Sequence, residues 1–270
     1  MDNHVVDICL AIFALSMVAL AVIPHPEGTP IPSAPLTKPL SKTAAVVLKY
    51  NNEHPFFSKA PVWTEPAPGV TIHKIPPSTA QEEADVAEAA SVREKYPLTM
   101  IFAALGVESV LDPLCENHNA APGESNEGNK FGPAGWDMGL GQFKLGILAK
   151  ALGITLAQAQ ELAFTIKWAI DYHVAVMKKE VAWANTVIAQ NQGNSNVDYR
   201  FRDPYLLATC SYNYGRNGVL EQYYYKGTFP DGGKNPDGTP RKNHGASVMS
   251  DEAYFAKQLG VTSIFAYLKA

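Results

Sequence analysis

From Ile8 to Ile23 the chain reads ICLAIFALSMVALAVI without a single charge, and counted from Val5, with Val6 and the intervening Asp7, the stretch reaches 19 residues. That is close to the roughly 20 residues that cross the core of a bilayer. The run has no polar face of the kind a surface helix of a globular domain carries, so residues 1–24 are expected to form a membrane anchor or signal segment, with residues 5–23 as the contact to the membrane. A cleaved signal peptide is the alternative, with Ala19 and Ala21 as an A-x-A-like cleavage site. The leader Met1-Asp2-Asn3-His4 lacks the Lys or Arg of a signal peptide, which favours the anchor.

The pattern then changes twice. Twelve of the chain's 20 prolines lie between Pro24 and Pro77, a composition that resists helix and central strand and favours extended, semi-rigid chain. Residues 25–78 therefore read as a Pro-rich stalk, although Tyr50, Phe56, Phe57, Val62 and Trp63 make its second half apolar enough to pack on the domain behind it. Helical signals begin at Thr79, where Thr79-Ala80-Gln81-Glu82 has the spacing of a capping box. Further helices are predicted over Leu98–Ser109, Leu145–Leu152, Leu156–Glu161, Phe164–Ala189 and Pro204–Tyr214. No stretch alternates with period 2 for long enough to predict a central strand. The expected fold class is mainly α, with one helical domain over residues 79–270.

At 270 residues and 46% hydrophobic content the chain has enough apolar material for one sizeable core. A formal net charge of −4 leaves no basic stripe, so nucleic acid is not an expected partner. The seven histidines are scattered and no CxxC or HExxH spacing occurs, so neither a metal nor a cofactor is expected. Of the three cysteines, Cys9 lies in the apolar run. Cys115 and Cys210 are either a disulfide or two separate buried thiols.

Three strings carry candidate chemistry. Glu108-Ser109-Val110-Leu111-Asp112-Pro113 closes the apolar helix IFAALGV, and a carboxyl there is partly desolvated, which favours the protonated form that a general acid needs. Gly135-Trp136-Asp137-Met138-Gly139-Leu140-Gly141-Gln142-Phe143 places three glycines and one amide where backbone can approach a ligand closely. Ser211-Tyr212-Asn213-Tyr214-Gly215-Arg216-Asn217-Gly218-Val219 is a helix end stopped by glycine. A plain helix terminus and an irregular turn would also account for the first two strings taken singly, whereas a helix cap accounts for Gly215 but not for the Tyr212-Asn213 pair in front of it.

Taken in order, the strings resemble the soluble lytic transglycosylases related to goose-type lysozyme, whose pattern is E-S-x-aromatic/apolar-x-P, then G-x-x-G-L-M-Q, then A-Y-N-A-G-x-G-x-V. The stretch Thr165 to Tyr172, TIKWAIDY, is similar to the family's N-I-x-x-G-x-x-Y helix. The resemblance covers residues 98–219, slightly under half of the chain. It implies a lysozyme-like helical domain that cleaves the bond between N-acetylmuramic acid and N-acetylglucosamine in bacterial peptidoglycan. Glu108 is implied as the single catalytic acid, and Ser109, the serine that follows it, is grouped with the substrate-binding residues. Gln142 is implied as the contact to the sugar beside the scissile bond, and Met138, Gly139 and Leu140 as the groove wall. Tyr212 is implied to hold the catalytic carboxyl, and Asn213 to buttress it.

The chain departs from the pattern in four places. Gly141 replaces a methionine, Lys144 replaces another, Glu108 and Gln142 are 34 positions apart with residues 115–131 as the apparent insertion, and residues 227–250 form a loop rich in Gly, Pro, Asp and Lys. The implied reaction is non-hydrolytic: the acid protonates the glycosidic oxygen, then as a carboxylate takes the proton of the C6 hydroxyl, which closes a 1,6-anhydro ring. Two rivals stand beside it. Asp137 is the candidate second carboxylate of a hydrolysing lysozyme, and an inactive membrane-tethered glycan-binding or assembly module is the non-enzymatic one. An envelope-remodelling enzyme, a secretion or conjugation apparatus and a phage particle would all use a tethered domain of this kind, facing the periplasm or wall, or set in a virion membrane.

Overall fold

The computed structural model describes residues 39–53, 70–118, 132–231 and 244–269. The anchor expected over residues 5–23 and Cys9 lie outside the described residues. Among those described, no helix is long and apolar enough to cross a membrane.

The described chain is mainly α. Its helices are α1 (Lys42–Glu53), α2 (Pro77–Glu94), α3 (Leu98–Ser109), α4 (Leu145–Leu152), α5 (Leu156–Phe164), α6 (Ile166–Gln190), α7 (Pro204–Tyr214), α8 (Arg216–Val219) and α9 (His244–Leu259), with short 3-10 turns and one π turn between them. Four two-residue strands, β1 (Val70–Thr71), β2 (Glu116–Asn117), β3 (Asp137–Met138) and β4 (Phe143–Lys144), pair antiparallel in the order β1-β2-β3-β4. Strands of two residues are too short to show alternation, and for that reason the sequence does not announce them.

Helix α3 is the hub. Its residues from Thr99 to Gly106 are all buried, so it is apolar all round and needs neighbours on every side. Helix α9 runs along it, where Phe255 meets Phe102 at a ring-centroid distance of 5.4 Å. The α2 helix packs against α6, and α6 against α7. Arg93 to Asp171 (2.7 Å) and Lys178 to Glu94 (2.9 Å) join α2 to α6 at the surface, where each pair contributes only a few tenths of a kcal/mol. The C-terminal segment is tied by the buried Glu252, whose carboxylate accepts from Thr99 Oγ1 at 2.8 Å and from Ile264 N at 3.1 Å.

The stretch read as stalk contains α1, whose Ala44, Val46, Val47 and Tyr50 are buried in the common core. The domain therefore begins at least as early as Lys42, because the prolines flank this segment and leave residues 40–54 free to form a helix. The capping box at Thr79 does not form: α2 begins at Pro77 with Pro76 at the N-cap and no side-chain bond, and proline at the first helical position is already set to the helical φ. A capping box does form at the start of α5, between Thr155 and Gln158. The predicted loop over residues 227–250 is interrupted by α9, which starts at His244. Cys115 and Cys210 are buried free thiols and form no bridge.

Candidate active site

Glu108 stands half-buried in the last turn of α3. The helix stops because Val110 turns left-handed at φ 59, with its N–H donating to Gly106 O at 2.9 Å, and Leu111 follows at φ 58. Glycine ordinarily fills such a place. For a β-branched residue it is an outlier, and left-handed backbone costs about 1–2 kcal/mol per residue, so the surroundings must hold the turn. Asp112 does part of this. It is buried, and its Oδ1 accepts from Leu114 N at 2.9 Å while Oδ2 accepts from His73 N at 2.6 Å and lies 3.0 Å from His73 Nδ1. Burial pushes its carboxyl up from the usual range by more than these bonds draw it down.

Ser109 faces inward. It is fully buried, and its Oγ donates to Leu105 O at 3.0 Å within α3. The resemblance grouped Ser109 with the substrate contacts, but the structure uses it to finish the helix.

The glycine string becomes the β3–β4 hairpin. Met138 faces Phe143 and Asp137 faces Lys144 across it. Gly139 N donates to Cys115 O at 2.8 Å, Gln142 N to Gly139 O at 3.1 Å, and the Gln142 side-chain Nε2 to Gly139 O at 3.0 Å and Cys115 O at 3.3 Å. Gln142 is itself left-handed, at φ 46. Its amide nitrogen therefore locks the loop to the segment just after α3. Gly139, at φ 73, passes so close to α5 that an added Cβ would lie 2.0 Å from Ala163 O. Met138 and Leu140, expected in the groove wall, are fully buried and support the hairpin from the core.

The departure at Gly141 has a local cause. A Cβ there would lie 2.4 Å from the Phe143 ring, so the methionine of the resembled pattern would fit only if that ring moved. Phe143 in turn meets Trp168 (5.6 Å) and Tyr172 (5.2 Å) edge-on, and those two rings stack on each other at 4.7 Å, one turn apart on α6. Lys144, the second departure, lies 4.0 Å from Asp137. Across the sheet, Trp136 stacks on His118 at 4.1 Å.

Tyr212 on α7 closes the far side. Its hydroxyl donates to Gly141 O at 2.9 Å, and its phenol is pushed well above the usual range, by burial first and then by the charges of Glu108, Tyr172 and Asp137. Glu108 and Asp137 therefore both lie near the Tyr212 hydroxyl. Glu108 likewise helps to push up the Cys115 thiol, after burial and Asp112. Asn213 does not buttress this arrangement, for its side chain is exposed. The ring that meets Tyr212 is His173, edge-on at 5.2 Å. His173 is fully buried with both ring nitrogens lacking a partner among the described residues, and burial lowers its pKa to about 4, so it is neutral.

The three strings thus meet around one point: Glu108 from α3, Gln142 and Asp137 from the hairpin, and Tyr212 from α7. His173, Asp112 and the Phe143 side of the ring cluster were not legible as site residues, because a buried histidine and a phenylalanine carry no spacing signal of their own. Among the described residues no group of three or more His, Cys, Asp or Glu side chains could hold a metal ion. Set beside protein-family models, curated proteins and solved structures, the chain matches none of them, and its functional reading rests on this geometry.

Proposed function

We propose that this chain is a lytic transglycosylase that cleaves the glycan strands of bacterial peptidoglycan between N-acetylmuramic acid and N-acetylglucosamine, with Glu108 as the acid, in a lysozyme-like helical domain held at the membrane by residues 5–23. The observation that carries this reading is the convergence of Glu108, Gln142 and Tyr212, from three separate strings of the sequence, at a half-buried carboxyl.

The chemistry derives from that placement. Glu108 sits half-buried at the carbonyl end of α3, whose partial negative charge opposes a carboxylate there. As an acid it protonates the glycosidic oxygen. The muramyl N-acetyl group stabilises the positive charge that develops at the anomeric carbon, and the resulting Glu108 carboxylate takes the proton of the C6 hydroxyl as that oxygen closes the 1,6-anhydro ring. One residue acts as acid and then as base, water is not consumed, and Gln142 Oε1 offers an acceptor to a sugar hydroxyl. Digesting purified peptidoglycan with the protein and weighing the muropeptides tests the reaction: anhydro ends are lighter than hydrolysed ends by one water.

A second reading is favoured by a specific observation, the charge of Asp137 acting on the same Tyr212 hydroxyl as that of Glu108. If Asp137 activates water opposite the acid, the enzyme is a hydrolysing lysozyme and its product ends are reducible. Against it, the Lys144 ammonium 4.0 Å away neutralises part of the charge that such a base would use.

A further inference from the structure

Asn51 lies on α1, within the segment that composition marks as stalk, and 57 positions before Glu108. Its side chain is fully buried and makes three bonds: Nδ2 donates to Val110 O at 3.1 Å and to His73 O at 3.2 Å, and Oδ1 accepts from Ile75 N at 3.0 Å. Two carbonyls face one end of the amide and an N–H faces the other, so the orientation of the group is fixed by its partners. Val110 is the first of the two left-handed residues directly after the Glu108-Ser109 pair, and Asp112, the residue after Leu111, is joined to His73. Asn51 and Asp112 therefore stitch residues 73–75 and the turn at 110–112 into one unit.

We propose that Asn51 is a positioning residue for Glu108: by holding the carbonyl of Val110 it keeps the strained turn in the one conformation that aims the carboxyl of Glu108 at the hairpin and Tyr212. Three features of the site support this. The turn is unfavourable for valine and leucine by themselves. The partner of the Val110 carbonyl comes from a helix that supplies no member of the candidate site. An aspartate at 51 would keep the acceptor for Ile75 N and the shape of the side chain, but would set a carboxylate oxygen against two carbonyls. Helix α1 thereby belongs to the catalytic unit and is more than a spacer in front of it. The proposal rests on the transglycosylase reading for the meaning of Glu108, and its test separates the two.

The experiment compares full-length Asn51→Asp with Tyr50→Phe. Tyr50 is the neighbouring residue; its hydroxyl bonds Asp251 of α9 and its ring tip packs against Gly106 of α3, so loss of the hydroxyl loosens the docking of α1 while the Asn51 bond to Val110 stays in place. Two quantities are measured on each protein at a temperature where both remain folded by near-ultraviolet circular dichroism: the rate of muropeptide release per folded molecule, and the titration of the Glu108 carboxyl by carbon NMR, assigned with Glu108→Gln. Asn51→Asp is expected to lose about tenfold to a hundredfold in rate, the effect of misplacing a catalytic group by about an ångström, and to move the Glu108 titration midpoint. Tyr50→Phe is expected to stay within about twofold of the parent protein with the midpoint unmoved. Equal rates and equal midpoints in the two variants overturn the proposal. If Asn51→Asp does not accumulate in folded form, Asn51→Ser, which is too short to reach both carbonyls, replaces it under the same two criteria. A parent protein that leaves peptidoglycan intact overturns the transglycosylase reading alone, and the titration comparison then still decides whether Asn51 sets the surroundings of Glu108.

Discussion

Gly141 and Phe143 show how a departure from an expected pattern can be compensated two residues away. The ring of Phe143 occupies the space that a side chain at 141 would need, so Gly141→Met is expected to destabilise the protein by roughly 2 kcal/mol through overpacking, and combining it with Phe143→Ala should recover part of that loss. Urea midpoints of the two single variants and the double variant check the coupling; additive losses would contradict it. Gly139 is more tightly constrained, because its backbone is left-handed and the obstacle to a Cβ is the carbonyl of Ala163. Gly139→Ala is expected to lower stability by roughly 3 kcal/mol and to release the hairpin that carries Gln142, which a urea midpoint and a loss of cleavage would both register.

At the scale of elements, the sequence was most legible where helices are long and strongly apolar. Leu98–Ser109, Leu145–Leu152 and Pro204–Tyr214 are helical with the predicted bounds, because an apolar run bounded by proline or glycine leaves little choice. It was least legible where an element depends on tertiary contact. The two-residue strands exist only through their pairing, and α1 was hidden by the prolines on either side of it. The candidate site divides in the same way: Glu108, Gln142 and Tyr212 were legible from their strings, while Asn51, Asp112 and His173 act through contacts that have no sequence spacing. Since Val46, Val47 and Tyr50 of α1 are buried, and each such side chain contributes about 1.5–3 kcal/mol, removing α1 costs a large share of the net stability of an ordinary domain. A fragment beginning at Thr79 is therefore expected to unfold or aggregate, and one beginning at Ser41 to give a cooperative thermal transition. A well-folded Thr79 fragment would show that α1 is an accessory.

At the scale of the whole molecule, one buried bond makes stability depend on pH. Asp251 accepts from the Tyr50 hydroxyl between α9 and α1, and burial pushes its carboxyl up to about 7, the bond to Tyr50 opposing this only in part. A folded-state value above the unfolded one means that the native protein binds the extra proton, so the contribution is full below about pH 4 and is lost as pH rises through 7. A shift of this size corresponds to a few kcal/mol, on the order of 4. The melting temperature is expected to fall between pH 5 and pH 8, with a shallower slope for Asp251→Asn; parallel slopes would remove Asp251 from this role. In the proposed mechanism one carboxyl, set by a strained helix end beside a hairpin and a half-buried tyrosine, cuts glycan strands without water. The most direct test is mass analysis of the muropeptides released from purified peptidoglycan by the full protein, beside Glu108→Gln and Asp137→Asn. The expected result is 1,6-anhydro ends that resist borohydride reduction, no release above a few per cent with Glu108→Gln, and unchanged product with Asp137→Asn. Reducible ends together with an inactive Asp137→Asn variant would contradict it and make Asp137 the base that activates water.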